Sequence, residues 1–244
     1  MVNILPLEQG ESVTATVITR EFDENEYLMM VTQKGTVKRI PFIALNTRRK
    51  TGIRAITLEE GDQLINVIRT TGNDNIILAT REGMAICFNE NDVRPMGRDA
   101  AGVRGIMLTC EDYVIGAEKV EEGRTLLTVT ENGFGKRTEL SEYLRTGPEG
   151  EKVPQSRGGK GLKNYNITPK TGFVAGCCTV AETDDVMLIE NGGVIIRIPA
   201  SSINIYKRDV QGVIVMRIEE GNALVSMERV EREETEETVQ ETAE

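Results

Sequence analysis

The chain has 244 residues, 39% hydrophobic and 28% charged, with four Cys, no Trp, no His and a formal net charge of -10. Without histidine the usual general base, the Ser-His-Asp arrangement and most zinc sites are gone, and Cys87, Cys110, Cys177 and Cys178 form no Cys-x-x-Cys pair and read as free thiols. The longest weakly polar run, Phe173 to Ala181, is about half of the roughly 20 residues a spanning helix needs, and the first residues lack the basic start and apolar stretch of a signal peptide, so a cytoplasmic protein is expected.

In chain order, Leu5 to Glu11 followed by Ser12 to Thr19 matches the last two strands of a repeating unit, so the chain is expected to begin in the middle of one. A turn then recurs as Gln33-Lys34-Gly35, Arg81-Glu82-Gly83, Glu131-Asn132-Gly133 and Glu190-Asn191-Gly192, its glycines 48, 50 and 59 residues apart. Each turn joins two short apolar runs, Tyr27 to Thr32 with Thr36 to Ile40, Asn75 to Thr80 with Met84 to Phe88, Thr125 to Thr130 with Phe134 to Thr138, and Asp185 to Glu190 with Gly193 to Ile198. Glycine supplies the positive φ of tight hairpin turns, so these are β-hairpins.

After each hairpin comes a glycine and a strand-like run: Gly52 to Ile56, Gly102 to Ile106, Gly161 to Tyr165 and Gly212 to Met216, spaced 50, 59 and 51 residues apart. A further strand follows, such as Gln63 to Thr70 or Ala223 to Val230. Four strands about every 50 residues describe a propeller-like, all-β architecture, because one small sheet cannot cover its own faces and must stack on its neighbours. About four repeats are present, and whether they close into a ring is left open. An insertion rich in Gly, Pro and Glu, Arg145 to Pro154, lengthens the third repeat and reads as an extended surface loop.

Between hairpin and glycine run, each repeat carries a basic loop. The loops hold Arg48, Arg49 and Lys50; Arg98; Gln155, Arg157, Gly158, Gly159, Lys160 and Gly161; and Lys207 and Arg208, while Arg54, Arg104 and Lys163 lie in the adjoining runs. One basic loop per repeat at equivalent positions forms a ring of charge on one edge, which suits a bent polyanion. Phosphate contacts provide affinity without reading sequence, and in Gln155 to Gly161 the glycines let backbone N–H groups approach a phosphate. The net charge does not exclude this: residues 231 to 244 hold seven Glu and one Arg, leaving the body at about -4.

Gln155-Ser156-Arg157-Gly158-Gly159-Lys160-Gly161 resembles the box Gln-Arg-Arg-Gly-Gly-Lys-Gly of bacterial DNA gyrase A C-terminal regions. Asn132 to Thr138, and Met96-Gly97-Arg98 with Gly102 to Ile106, are similar to other segments of the family that unites gyrase A with its topoisomerase IV counterpart, and the likeness runs from about Val2 to Val230. The resemblance implies a β-pinwheel whose blades exchange a strand, with duplex DNA wrapped around its basic rim with positive writhe in support of negative supercoiling. It implies no catalytic site, metal or cofactor in this chain, ATP and Mg being used elsewhere in an A2B2 complex with the rest of gyrase A and with gyrase B. Tyr27, Tyr113, Tyr143, Tyr165 and Tyr206 are then packing residues, since the family's catalytic tyrosine is in another domain.

Two departures stand out. The family's principal box lies in a first blade, which is expected to be absent here, and Ser156 stands where the stronger motif has Arg. The expected organisation is a wrapping domain over 1–230, a fragment missing the first blade or blades, and an acidic disordered tail over 231–244 that aids solubility or competes for the rim. The alternatives are a topoisomerase IV C-terminal region, whose boxes are generally degenerate, and a protein-interaction propeller. An enzyme built on Asp184 and Asp185 has no nucleophile or metal cluster to join them, and Lys160-Gly161 is not the Lys-Ser/Thr of a P-loop.

Overall fold

The computed structural model describes residues 13–49, 52–109 and 111–230. In the first repeat β1 (Tyr27–Thr32) and β2 (Thr36–Pro41) form a hairpin and β3 (Leu64–Thr70) follows. The second has β4 (Asn75–Thr80), β5 (Met84–Asn89), β6 (Val103–Arg104) and β7 (Val114–Lys119). The third has β8 (Thr125–Thr130), β9 (Phe134–Glu139), β10 (Arg145–Thr146), β11 (Lys152–Val153), β12 (Leu162–Lys163) and β13 (Val174–Val180), and the fourth β14 (Asp185–Glu190), β15 (Ile195–Pro199), β16 (Val213–Ile214) and β17 (Leu224–Val230).

The hairpin strands β1, β4, β5 and β8 are buried nearly throughout because both of their faces are covered, whereas β15 of the last hairpin is half-exposed. Met29 and Val31 of β1 pack with Ile76 and Leu78 of β4, while Leu28 and Met30 pack with Ile40 and Phe42 on the other face. Ile77 and Ala79 then meet Leu126, and Leu127 and Val129 meet Val186 and Leu188. Burying each such side chain stabilises the stack by about 1.5–3 kcal/mol. The blades therefore hold one another in sequence order. The long strands β3, β7, β13 and β17 lie side by side along the inner end of the stack, tied by Asn66 Nδ2 to the Ala117 carbonyl at 2.6 Å and Arg229 Nη1 to the Thr179 carbonyl at 3.2 Å.

Sheet order confirms the strand exchange. The sheets run β3-β1-β2-β6, β7-β4-β5-β12 and β13-β8-β9-β16, so each of the first three hairpins receives its fourth strand from the following repeat. The glycine opening each exchanged strand makes this possible. Gly161 has φ 75°, and a Cβ on it would stand 2.4 Å from the Ala85 carbonyl oxygen. Gly102 and Gly212 meet Val37 and Gly135 in the same way, at 2.6 and 2.3 Å.

Four sequence expectations are corrected. Residues 52–56 form no strand: their equivalents lie on the hairpin of the preceding repeat, and no hairpin precedes β1 among the described residues. Space is correspondingly open around Gly52, where an added Cβ would meet nothing within 4 Å. Residues 13–19 are not a strand either; their alternation of apolar and polar residues finds no sheet edge, although Val17 packs under the first hairpin. The fourth turn glycine is Gly193, at φ 92°, one residue later than the repeat suggests. The insertion after residue 145 is more ordered than a loop, since β10 and β11 pair antiparallel, Arg145 with Val153 and Thr146 with Lys152. The segments 1–12 and 231–244 lie outside the described residues.

Candidate polyanion-binding rim

Counting back from the exchanged-strand glycine, one arginine recurs at the same position in every loop: Arg48, Arg98, Arg157 and Arg208 each stand four residues before Gly52, Gly102, Gly161 and Gly212. Two residues after the glycine come Arg54, Arg104, Lys163 and Ile214. The fold converts this spacing into proximity. Three of the loops lie along the second hairpin strand of the preceding repeat through parallel bridges, Arg39 with Pro95, Phe88 with Gln155 and Arg137 with Ile205. Those three loops therefore occupy equivalent seats, all on the outer edge of the stack and away from the inner strands.

The seats are also linked to one another. Arg157 Nη1 donates to the carbonyl oxygen of Arg104 at 3.0 Å, and Arg208 Nη1 donates to that of Lys163 at 3.0 Å. Arg157 and Arg208 thus each stand on the exchanged strand of the preceding repeat beside its basic residue. Arg157 is further held by Nε to the Asp92 carbonyl at 2.7 Å. These two arginines are half-buried, whereas Arg98, Arg104, Lys160, Lys163 and Lys207 are exposed. The box loop is anchored by Gln155 N to the Cys87 carbonyl at 2.7 Å, Gln155 Nε2 to the Tyr143 carbonyl at 3.0 Å, and Gly158 N to the Gly105 carbonyl at 2.6 Å. Three of its backbone N–H groups, those of Gln155, Arg157 (to Asp92 Oδ2 at 3.4 Å) and Gly158, are therefore engaged within the protein. What the loop presents outward is mainly the ammonium of Lys160.

The first loop is placed differently. Arg48, Arg49 and Arg54 are exposed, and no bridge seats their loop on a hairpin among the described residues. Lys50 lies outside the described residues. The structure thus brings Arg98, Arg104, Arg157, Gly158, Gly159, Lys160, Gly161, Lys163, Lys207 and Arg208 onto one repeating edge; Arg54 lies beside it, its neighbour Ala55 sharing Lys38 Nζ with Arg98 and Ala100, while no bridge places Arg48 and Arg49 on it among the described residues.

Several residues that shape this edge carry no clear signal in the sequence. Arg145 and Lys152 of the inserted hairpin line a cleft of about 590 Å³ together with Gln155, Ser156 and Arg208. Beneath the loops lie two fully buried lysines. Lys38 Nζ donates to the carbonyls of Ala55, Arg98 and Ala100 at 2.8, 2.7 and 2.8 Å. Lys136 Nζ donates to those of Lys207 and Arg208 at 2.7 and 2.5 Å and stands 5.2 Å from the centre of the Tyr165 ring. Burial lowers the pKa of both, that of Lys136 to about 7. The one hint of them in the sequence is a lysine inside an otherwise covered hairpin strand. Among the described residues no group of three or more Cys, Asp or Glu is arranged to hold a metal, and no helix is long and apolar enough to cross a membrane.

Chemically, an edge of repeating cations spaced by the blades can neutralise successive phosphates of a curved polyanion without reading bases. Comparison with known proteins agrees with the family resemblance. The model of a family described as the DNA gyrase C-terminal domain, beta-propeller, matches residues 26–71, 74–121, 124–150, 149–177 and 184–231. The chain is 39% identical over 230 residues to the DNA gyrase A protein of Klebsiella oxytoca, covering 94% of this chain and 25% of that protein. It is 42% identical over 233 residues to the DNA gyrase A protein of Haloquadratum walsbyi, covering 93% and 26%. The chain thus spans about a quarter of the length of these curated relatives. Among solved structures, the C-terminal domain of DNA topoisomerase IV superposes with a TM-score of 0.84 at 24% identity, covering 94% of this chain and 69% of that one, a likeness of fold. The DNA gyrase A C-terminal domain superposes with a TM-score of 0.79 at 25% identity, covering 93% and 73%.

Proposed function

The chain belongs to the DNA gyrase C-terminal domain family, and from that membership we propose that it binds duplex DNA without sequence preference and bends it around the basic edge of the blade stack. The observation that carries this reading is the repeated seating of the three loops, with Arg157 standing on Arg104 and Arg208 on Lys163. Smoothly bending 20–30 base pairs costs on the order of 1–6 kcal/mol, which one loop does not supply. Several seated loops along one curved edge do, because each phosphate neutralised adds to affinity.

In this reading residues 1–230 form an accessory wrapping module of a type II topoisomerase and make no catalytic contribution. Its place is in the cytoplasm, within an assembly of gyrase A and gyrase B, where the wrap would present a neighbouring DNA segment for ATP-driven strand passage toward negative supercoils. ATP and Mg would act elsewhere in that assembly.

The test is the affinity for several unrelated duplexes over a range of salt. The expected result is near-equal affinity across sequences and a steep fall with salt, about 0.9 in log–log slope for each phosphate neutralised. A flat salt response, or one strongly favoured sequence, refutes it.

A further inference from the structure

Lys38 and Lys136 take the same register position in their hairpins: Lys38 pairs across to Met30, and Lys136 to Thr128. Each is fully buried. Each ends on backbone carbonyls of the basic loop contributed by the next repeat, and in both cases one of those carbonyls belongs to the recurring arginine, Arg98 or Arg208. At the corresponding position of the second hairpin, opposite Leu78, stands Ile86. The loop above Ile86 is the glycine-rich box, and its Gly159 approaches the Ile86 side chain closely enough that a Cβ would lie 3.8 Å from Cδ1. The molecule thus supports its three seated loops in two ways. Two rest on a buried ammonium, and one rests on close glycine backbone over an apolar side chain.

We propose that Lys38 and Lys136 are positioning residues for DNA binding, holding the loops of the following blades in their binding conformation from beneath. A buried ammonium is expensive to desolvate unless its N–H groups are satisfied, so these bonds are strong and directional. By drawing the Arg98, Ala100, Lys207 and Arg208 carbonyls inward, each lysine turns the negative ends of those peptide dipoles away from the edge where phosphates would lie. It also fixes the loop before DNA arrives, which removes an ordering cost from association. Tyr165 assists beneath the last loop, its hydroxyl donating to the Gln211 carbonyl. Neither lysine touches the solvent side, so neither neutralises a phosphate itself.

This inference rests on the DNA-binding reading, and its test separates the two. Lys38→Met, Lys136→Met and the double variant are compared with the unaltered chain at pH 6 by duplex affinity against salt, with circular dichroism for the fold and hydrogen exchange on the loops. The expected result is an affinity lower at every salt, on the order of tenfold in the double variant, with the slope unchanged because the same phosphates are contacted once bound. Loop amides over 94–102 and 205–212 exchange faster, while those over 155–161, above Ile86, do not change. Superimposable affinity lines overturn the proposal, and so does a shallower slope, which assigns the lysines to direct contact. Should the Met variants not fold, Lys38→Gln and Lys136→Gln are read by the same two criteria. A flat salt response of the unaltered chain refutes DNA binding itself instead.

Discussion

Arg157 of the third repeat stands on Arg104 of the second, its Nη1 3.0 Å from the Arg104 carbonyl oxygen, with Nε on Asp92 of the same second repeat. The two basic residues of the box loop therefore have different duties. Arg157 joins consecutive blades, whereas the exposed Lys160 makes no hydrogen bond or ion pair among the described residues. Lys160→Ala should weaken DNA binding and reduce the salt slope by about 0.9 with unchanged stability. Arg157→Ala should in addition lower stability by about 0.5–1.5 kcal/mol, the net worth of hydrogen bonds at a partly exposed seat where water takes the place of the lost donor. Denaturant midpoints and salt-dependent affinities for the two single variants check this.

The hairpin tips show one internal inconsistency that mutation should relieve. Thr32 and Thr80 end their first hairpin strands, and their hydroxyl oxygens accept the N–H groups of Thr36 and Met84, each at 3.1 Å. The fourth hairpin has Glu190 there, 2% exposed, with neither carboxylate oxygen hydrogen-bonded among the described residues. Glu190→Thr should raise the unfolding free energy by about 1–3 kcal/mol by removing a buried unpaired acid and restoring the turn bond. An unchanged or lower denaturation midpoint counts against this account of the turn.

Stability should also respond to pH through two groups of opposite sign, the half-buried Glu118 and the buried Lys136. Burial pushes Glu118 up from 4.5 to about 7, against the lowering effect of Arg229 and Arg124 and with Glu121 and Glu228 adding to the rise. Between those values the folded chain binds more protons than the unfolded one, so this contribution falls as pH rises from 4.5 to 7. Burial pulls Lys136 down from 10.5 to about 7, with Asp209 and Glu142 opposing and Arg208 reinforcing. There the unfolded chain binds more protons, and this contribution rises with pH from 7 to 10.5, opposed above about pH 9 by Cys87, Cys177 and Cys178, whose thiols burial pushes up. Glu118→Gln should flatten the lower window and Lys136→Met the upper one, as read from denaturant midpoints across pH.

How much of this is legible in the sequence depends on whether the deciding partner is local. The hairpins are, because turn glycines and covered apolar runs such as Ile76 to Ala79 act within a few residues. The fourth turn glycine is misplaced by one because Gly192 and Gly193 stand together. Residues 13–19 and 52–56 read as strands from their pattern, but a strand needs an edge to pair with, and their own sequence does not say whether one is present. Strand exchange comes only through family resemblance. The basic loops are visible as charge, yet the residues that seat them are not. Lys38 and Lys136 look like the polar face of a strand until the carbonyls of the next repeat are brought over them.

The inserted hairpin of the third repeat supplies a prediction of its own. Arg145 and Lys152 line one cleft with Arg208, beside Gln155 and Ser156. In the proposed complex a phosphate passing the box also passes this cleft. Replacing both Arg145 and Lys152 by Ala should therefore lower the salt slope by roughly 0.9 to 1.8. An unchanged slope in the folded double variant removes the insertion from the DNA path.

The central claim is that DNA follows the curved edge, beyond simply adhering to it. The most direct measurement is ligation of a nicked circular DNA in the presence of increasing amounts of the chain, with the linking-number distribution read after the protein is removed. The account predicts a shift toward positive linking number that grows with bound protein, is lost at high salt, and shrinks in the Lys38→Met, Lys136→Met double variant at equal protein concentration. A distribution that stays at the protein-free position while binding is demonstrably saturated would contradict it.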